Sequence, residues 1–110
     1  MNASEPLPFA VRVSAVRVGV ARVRVEGEVD LVTAPRLGDA LRLELDAGAD
    51  VLLDLSAVSF IDSSGLKAIV SAARAAGLRG QLVTLHRVMA NQPRRLFDIA
   101  KIHSVVPMSG

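Results

Sequence analysis

The sequence contains no cysteine, no tryptophan and no tyrosine, and only three phenylalanines among its 110 residues. The absence of cysteine excludes disulfide bonds, thiolate metal ligands and cysteine nucleophiles, and it is compatible with a reducing cytoplasm. The shortage of aromatic rings leaves little with which to stack nucleic-acid bases. We therefore expect a cytoplasmic protein that does not bind nucleic acid directly.

Long apolar runs and a large charge excess are also lacking. No stretch approaches the roughly 20 apolar residues of a membrane span, and the N-terminus has neither the basic start nor the apolar core of a secretory signal. The formal net charge is only +2, and basic surface alone supplies only non-specific affinity for nucleic acid. These features predict no membrane contact. The 51% hydrophobic content argues against disorder.

The opening of the chain predicts a hairpin. Residues 1–8 read as a flexible N-terminal lead-in, followed by one domain over residues 9–110. From residue 9 to residue 29 valines alternate with arginines, a period of two that is typical of half-buried strands. The alternation changes phase between residues 14 and 20, which predicts a turn or bulge that includes Gly19.

Helical and strand patterns alternate after this hairpin. Helices are predicted to begin near Thr33, as an N-cap, near Ser64, and near Pro93. In the last helix Leu96, Ile99 and Ala100 are expected on the buried face.

Strands are predicted at 51–55, covered on both faces, at 81–85 and at 105–106. The order β-β-α-β-α-β-α-β predicts an α/β fold with a mixed, largely parallel sheet and helices packed on it.

The segment Asp62-Ser63-Ser64-Gly65-Leu66 directly follows an apolar run that ends at residue 61. It places two hydroxyls at a helix start, where free backbone N–H groups favour an anion such as phosphate. The alternative is ordinary helix capping, for which Asp and Ser are preferred residues. Ser63 is the expected cap. The glycine suits either close approach of a partner or the backbone conformation of the turn.

Taken together, these segments resemble the STAS domain of single-domain bacterial anti-sigma factor antagonists. The resemblance covers roughly residues 9–108 and rests on the segments 27–34, 51–56 and 60–66 at their joint spacing. It implies a STAS-like fold, with Ser64 as the phosphate acceptor and with Asp30 and Asp62 engaging a kinase.

The remaining residues of the expected partner-binding surface are Thr33, Ser63, Gly65 and Lys67. Lys67 stands where the family often has glycine, and it either pairs with the phosphate or is a solvated side chain. A long fourth helix typical of the family is expected to be shortened or absent.

The resemblance also implies a function. The unphosphorylated protein would bind an anti-sigma factor that is also a serine kinase, and this partner switching would release a sigma factor. Phosphorylation of Ser64 would end the binding, and a serine phosphatase would restore it. The protein itself is not expected to be an enzyme or to need a cofactor.

Catalytic alternatives have little support in the sequence. There is no Gly-x-Ser-x-Gly elbow and no Walker loop. His86 and His103 are far from Ser64 in sequence, and two histidines without a carboxylate cluster make a poor metal site. Asp54, inside an apolar strand, reads as a paired buried carboxylate or a strand-end residue without a site role. The surviving alternative is a nucleotide-binding or scaffold STAS subunit of a transporter or stress-signalling complex.

Overall fold

A computed structural model describes residues 7–109. Of the predicted lead-in, only residues 7 and 8 belong to the described part. The elements in chain order are β1 (Ala10–Arg17), β2 (Val20–Val29), α1 (Ala34–Asp46), β3 (Asp50–Ile61), α2 (Ser63–Leu78), β4 (Val83–His86), α3 (Asn91–Ala100) and β5 (Met108–Ser109).

The five strands form one sheet in the order β1-β2-β3-β4-β5. β1 pairs antiparallel with β2 through the predicted hairpin, and the other three pairings are parallel. The predicted α/β architecture and the order of its elements are thereby confirmed. Because β2, β3, β4 and β5 run in the same direction, their carboxyl ends share one rim of the sheet.

The hydrophobic core is formed by the sheet and the helices α1 and α2, with Phe97 of α3 and Val106 added to it. Every fourth residue of α1, Leu37, Leu41 and Leu45, is fully buried, as the periodicity predicts. α2 turns mainly small residues inward, which lets it lie close to the sheet and to α1. The principal strand residues of this core are Val23, Val25, Val51, Leu53, Leu55, Val83 and Leu85.

β3 has 12 residues, whereas its neighbour β4 has only four. β4 pairs with β3 only as far as Leu53, so residues 54–61 of β3 have no strand beside them on that side. Gln92 of α3 covers part of this edge: its Nε2 donates to the Ile61 carbonyl at 2.8 Å and its Oε1 accepts from the Ile61 N–H at 2.9 Å. The amide thus replaces strand pairing at the end of β3.

Several local predictions differ from the structure. β1 is an edge strand whose residues from Arg12 onward are all exposed, so the half-buried alternation predicted for it is not observed. The last strand is Met108–Ser109 instead of residues 105–106, because Val106 packs into the core from the preceding loop. α3 buries Pro93 and Phe97, whereas Ile99 and Ala100, which were predicted to face inward, are exposed. α3 also begins two residues before the predicted proline, at Asn91.

Asp54 is the one charged residue that is buried within the described part of the chain. Its Oδ2 accepts from Arg22 Nε at 3.1 Å and from Arg24 Nη1 at 3.3 Å, and its Oδ1 accepts from the Ser56 N–H at 2.9 Å. Burial alone would raise the pKa of Asp54, but hydrogen bonds from Ser56 and Arg22 hold that pKa well below its usual range. Asp54 is therefore the paired buried carboxylate that the sequence left as one of two options.

Candidate functional site

Two aspartates meet at the carboxyl rim of the sheet. Val29 of β2 is paired with Ile61 of β3, and the backbone N–H of Asp62 donates to the Val29 carbonyl at 3.0 Å. Asp30 and Asp62 directly follow these paired residues, so they lie on the same rim at adjacent strand ends. Ser64 follows within the first turn of α2.

Asp62 is the N-cap of α2. Its Oδ1 accepts from the backbone N–H groups of Ser64 at 2.8 Å and of Gly65 at 3.2 Å. The prediction that Ser63 caps this helix is wrong, because Ser63 is already the first helical residue. Aspartate and serine cap equally well; here Asp62 has the extended backbone that a cap requires, with φ −101° and ψ −175°.

A second hydrogen-bonded turn surrounds Asp30. Its Oδ1 accepts from the N–H of Val32 at 2.9 Å and from the N–H of Thr33 at 3.0 Å. The backbone N–H of Thr33, with lesser contributions from neighbouring donors, lowers the pKa of Asp30. Asp30 is therefore ionised at neutral pH and is held in one orientation.

Thr33 occupies the predicted N-cap position of α1, but its side chain does not cap the helix. Its Oγ1 instead accepts from the Asp30 N–H at 2.9 Å and donates to the Glu28 carbonyl at 3.0 Å. Thr33 thus fixes the turn that carries Asp30, which is a positioning role.

The two serines differ in their surroundings. Ser63 is exposed, whereas Ser64 is half-buried and lines a groove between α1 and α2. Among the described residues neither hydroxyl forms a hydrogen bond. Ser63 therefore makes no backbone hydrogen bond that would leave its hydroxyl less free to react than that of Ser64, and the two serines differ in position and exposure alone.

Gly65 is required by packing inside the protein. It is buried, and a Cβ at this position would lie 2.6 Å from Val29 Cγ1 and 2.7 Å from Ile61 Cγ1. Real Cβ atoms do not approach that closely. Of the two interpretations of this glycine, the structure favours close packing of α2 on the strand ends over close approach of a partner.

The groove beside Ser64 has a volume of about 390 Å³. Lys67, Ala68 and Ser71 continue the α2 wall from Ser64, at the three- and four-residue spacing of one helix face. The opposite wall comes from the turn before α1 and from α1 itself. Its lining residues are Leu31, Ala34, Pro35, Gly38 and Arg42.

Sequence reasoning missed the apolar part of this surface. Leu31 is 75% exposed and Val32 is 80% exposed, directly beside Asp30. In the sequence, these two residues stand out as an apolar pair in a polar turn, where they do not fit the pattern of buried residues in β2 or in α1. Exposed large apolar side chains beside ionised groups are typical of protein-binding surfaces.

The remaining candidate residues do not join this site. His103 lies 3.4 Å from Asp98 of α3, and among the described residues neither histidine forms a hydrogen bond with Ser64. No group of three or more His, Asp or Glu residues within 7–109 is arranged to hold a metal ion. Within the same range no helix is both long enough and apolar enough to cross a membrane.

The family model of the STAS domain matches residues 13–109. The chain is 31% identical over 88 residues to an anti-sigma-B factor antagonist of Bacillus subtilis, covering 80% of each chain. The crystal structure of an anti-sigma factor antagonist from Mycobacterium paratuberculosis superposes with a TM-score of 0.76 at 29% identity, over 92% of this chain and 85% of the other.

More distant structures share the same fold. The antagonist SpoIIAA in its unphosphorylated form superposes with a TM-score of 0.76 at 17% identity, over 92% of this chain and 89% of the other. The order of strands and helices derived above is the order of that fold.

Proposed function

This chain belongs to the STAS-domain family, among the anti-sigma factor antagonists, and we propose that it acts as a phosphorylation-controlled antagonist with Ser64 as its switch. Antagonists of this family are regulators and not enzymes. In the unphosphorylated state the chain binds an anti-sigma factor that is also a serine kinase, and the sigma factor is released. A serine phosphatase returns phosphorylated Ser64 to the binding state.

The observation that carries this proposal is the composition of the carboxyl rim. Ser64 lies within one helical turn of the Asp62 cap, and Asp62 is adjacent to Asp30 at the ends of paired strands. Leu31 and Val32 add exposed apolar area at the same place. A partner that covers the apolar pair also comes into reach of both carboxylates and of the acceptor serine.

The chain needs to supply only the acceptor for phosphoryl transfer. The Ser64 Oγ attacks the γ-phosphorus of ATP bound to the kinase, ADP leaves, and the hydroxyl proton passes to a base of the kinase. The two backbone hydrogen bonds to Asp62 fix the first turn of α2, so the hydroxyl is presented from a rigid element.

The added charge explains how the switch works. Phosphoserine carries about −1.5 to −2 charge at neutral pH. A phosphate on Ser64 would add this charge to a rim that already carries Asp30 and Asp62. The partner must remove water from these charged groups when it binds. A loss of about 3–4 kcal/mol in the free energy of binding would weaken the complex roughly a hundredfold to a thousandfold.

The test is capture of the partner with wild-type and Ser64→Glu baits in parallel, followed by incubation of the purified partner with the wild-type chain and ATP. We expect the wild-type bait to retain an anti-sigma factor that the Ser64→Glu bait retains poorly. We also expect phosphate to map to Ser64 by mass spectrometry. Ser63→Ala is the matched control, because it removes the neighbouring hydroxyl and should still accept phosphate.

Phosphate found mainly on Ser63, or equal retention by both baits, would contradict the proposal. Specific nucleotide binding by the isolated chain, with no phosphate incorporated, would instead favour a nucleotide-binding STAS subunit of a larger complex.

A further inference from the structure

The groove between α1 and α2 has cations on both walls. Arg42 projects from α1 and Lys67 from α2, and both line the same space as Ser64. In the groove lining these two cations have no carboxylate opposite them, since its other residues are apolar, small or hydroxylated. The groove is therefore electropositive beside a rim that carries Asp30 and Asp62.

Arg42 lines the groove together with Gly38, which lies one turn before it on α1. A Cβ built at Gly38 would lie 3.4 Å from Arg42 Nη1 and 3.8 Å from the Ala68 Cβ, so the Arg42 guanidinium and Ala68 of α2 both lie close to this glycine. Ala68 is one turn beyond Ser64, about 6 Å along the helix axis. The guanidinium therefore lies near the turn of α2 that follows the acceptor serine, and both residues line the same groove.

The present partner of Arg42 is weak. Its Nη2 contacts Asp39 Oδ1 at 2.6 Å, but the two side chains are 52% and 75% exposed. Exposed pairs of this kind contribute little. A phosphoryl group carries more charge than a carboxylate and binds guanidinium in a two-pronged geometry, so it can compete with Asp39 for Arg42.

Electrostatics direct a phosphoryl group on Ser64 toward this groove. The Asp62 carboxylate is fixed on the rim side of Ser64 by its hydrogen bonds to Ser64 N and Gly65 N, and it repels a second anion. Lys67 lies three residues after Ser64, on the adjoining part of the same helix face.

We propose that the groove between α1 and α2 is a phosphate-binding site for the chain's own phosphorylated Ser64, with Arg42 and Lys67 holding the phosphoryl oxygens. This inference rests on the proposed phosphorylation of Ser64. Held in this way, the phosphate occupies the groove beside Leu31, so phosphorylation changes the shape of the partner-binding surface as well as its charge.

The test is a ³¹P NMR titration of the full chain with phosphoserine installed at position 64 during translation. A nearby cation stabilises the dianion and lowers the second phosphate pKa below its free value of about 6. We expect Arg42→Gln and Lys67→Gln each to raise that pKa by about half a pH unit, as a unit charge about 6 Å away in an aqueous setting should. The double variant should raise it by about the sum.

Arg74→Gln is the matched control, since it removes the same charge from α2 about 15 Å along the axis from Ser64 and should leave the phosphate pKa unchanged. All replaced side chains are exposed, so each variant should fold. Equal phosphate pKa values in the parent, Arg42→Gln and Lys67→Gln proteins would overturn the proposal. Because the phosphoserine is installed without a kinase, this failure is separate from failure of a kinase to modify Ser64.

Discussion

Asp62 combines a structural task with a proposed binding task, and two substitutions separate them. Asp62→Ala removes both the carboxylate charge and the acceptor for the Ser64 and Gly65 N–H groups. Asp62→Asn removes the charge but keeps an oxygen at the capping position, and asparagine caps as well as aspartate.

The expected magnitudes follow from the two hydrogen bonds, at 2.8 and 3.2 Å. Loss of such a cap costs about 1 kcal/mol, within a range of roughly 0.5–2 kcal/mol. For a domain of about this size that corresponds to a fall in Tm of about 5 °C for Asp62→Ala. Asp62→Asn should change the free energy of unfolding by less than about 0.5 kcal/mol.

The assay pairs thermal unfolding with calorimetry against the purified anti-sigma factor. Asp62→Asn should keep the wild-type Tm and still bind more weakly, because it lacks the charge on the rim. Asp46→Asn is the control for loss of one carboxylate, since Asp46 forms an exposed pair with Arg79 at the far end of α1. The reasoning would be refuted by a wild-type Tm for Asp62→Ala, or by equal destabilisation of the Ala and Asn variants.

Further predictions concern three residues that support the fold: Gly65, Asp54 and Gln92. Gly65→Ala should lower the free energy of unfolding by about 1–3 kcal/mol, because the new Cβ would overlap Val29 and Ile61. Asp54→Ala should cost about 2–4 kcal/mol in denaturant unfolding, because two arginines lose their buried partner. The lowered pKa of Asp54 stabilises the fold above the unfolded-state value of about 4, so wild-type stability should fall as the pH drops below about 4 and Asp54→Asn should show a shallower acid loss. Gln92→Ala should increase hydrogen exchange at the Ile61 amide, because that N–H loses its acceptor.

For each of these three residues, one experimental result would contradict the prediction. Unchanged stability of Gly65→Ala would mean that α2 moves away from the strands without cost. A wild-type acid profile for Asp54→Asn would show that this carboxylate does not control acid stability. Protection of the Ile61 amide in Gln92→Ala would show that the edge of β3 is covered by something other than the Gln92 amide.

The architecture could be predicted because most of its elements show a clear periodicity of apolar residues. The valine and arginine alternation of β2, and the leucines of α1 at every fourth residue, both match the burial seen in the structure. The end of β3 could also be predicted from the sequence, since its apolar run stops at the residue before Asp62. These patterns reflect burial on a single face, which sequence records directly.

The C-terminal part was harder to predict because tertiary contacts decide it. β5 has only two residues, and Val106 looks like a strand residue but fills the core from a loop. α3 buries Phe97 where Ile99 fitted the pattern equally well, since the helix packs beside the part of β3 that β4 does not pair with. The periodicity of apolar residues alone does not show which face of a helix packs against such a neighbouring strand.

The site was predictable in its position but not in its full membership. The strand-to-helix turn placed Asp62 and Ser64 together, and adjacent strand ends placed Asp30 beside them. Which of Asp62 and Ser63 caps the helix depends on one backbone conformation, which the sequence does not specify. Arg42 belongs to the groove only because α1 and α2 pack together, and residues this far apart in sequence leave no local signal.

The most direct test of the account is calorimetry of the anti-sigma factor with three forms of the chain: wild type, Ser64→Ala, and protein phosphorylated at Ser64. Ser64→Ala should bind like wild type, because removal of one small surface hydroxyl changes stability by less than about 0.5 kcal/mol. The phosphorylated form should bind roughly a hundredfold to a thousandfold more weakly. Equal affinity of the phosphorylated and unphosphorylated proteins would contradict the claim that Ser64 is the switch.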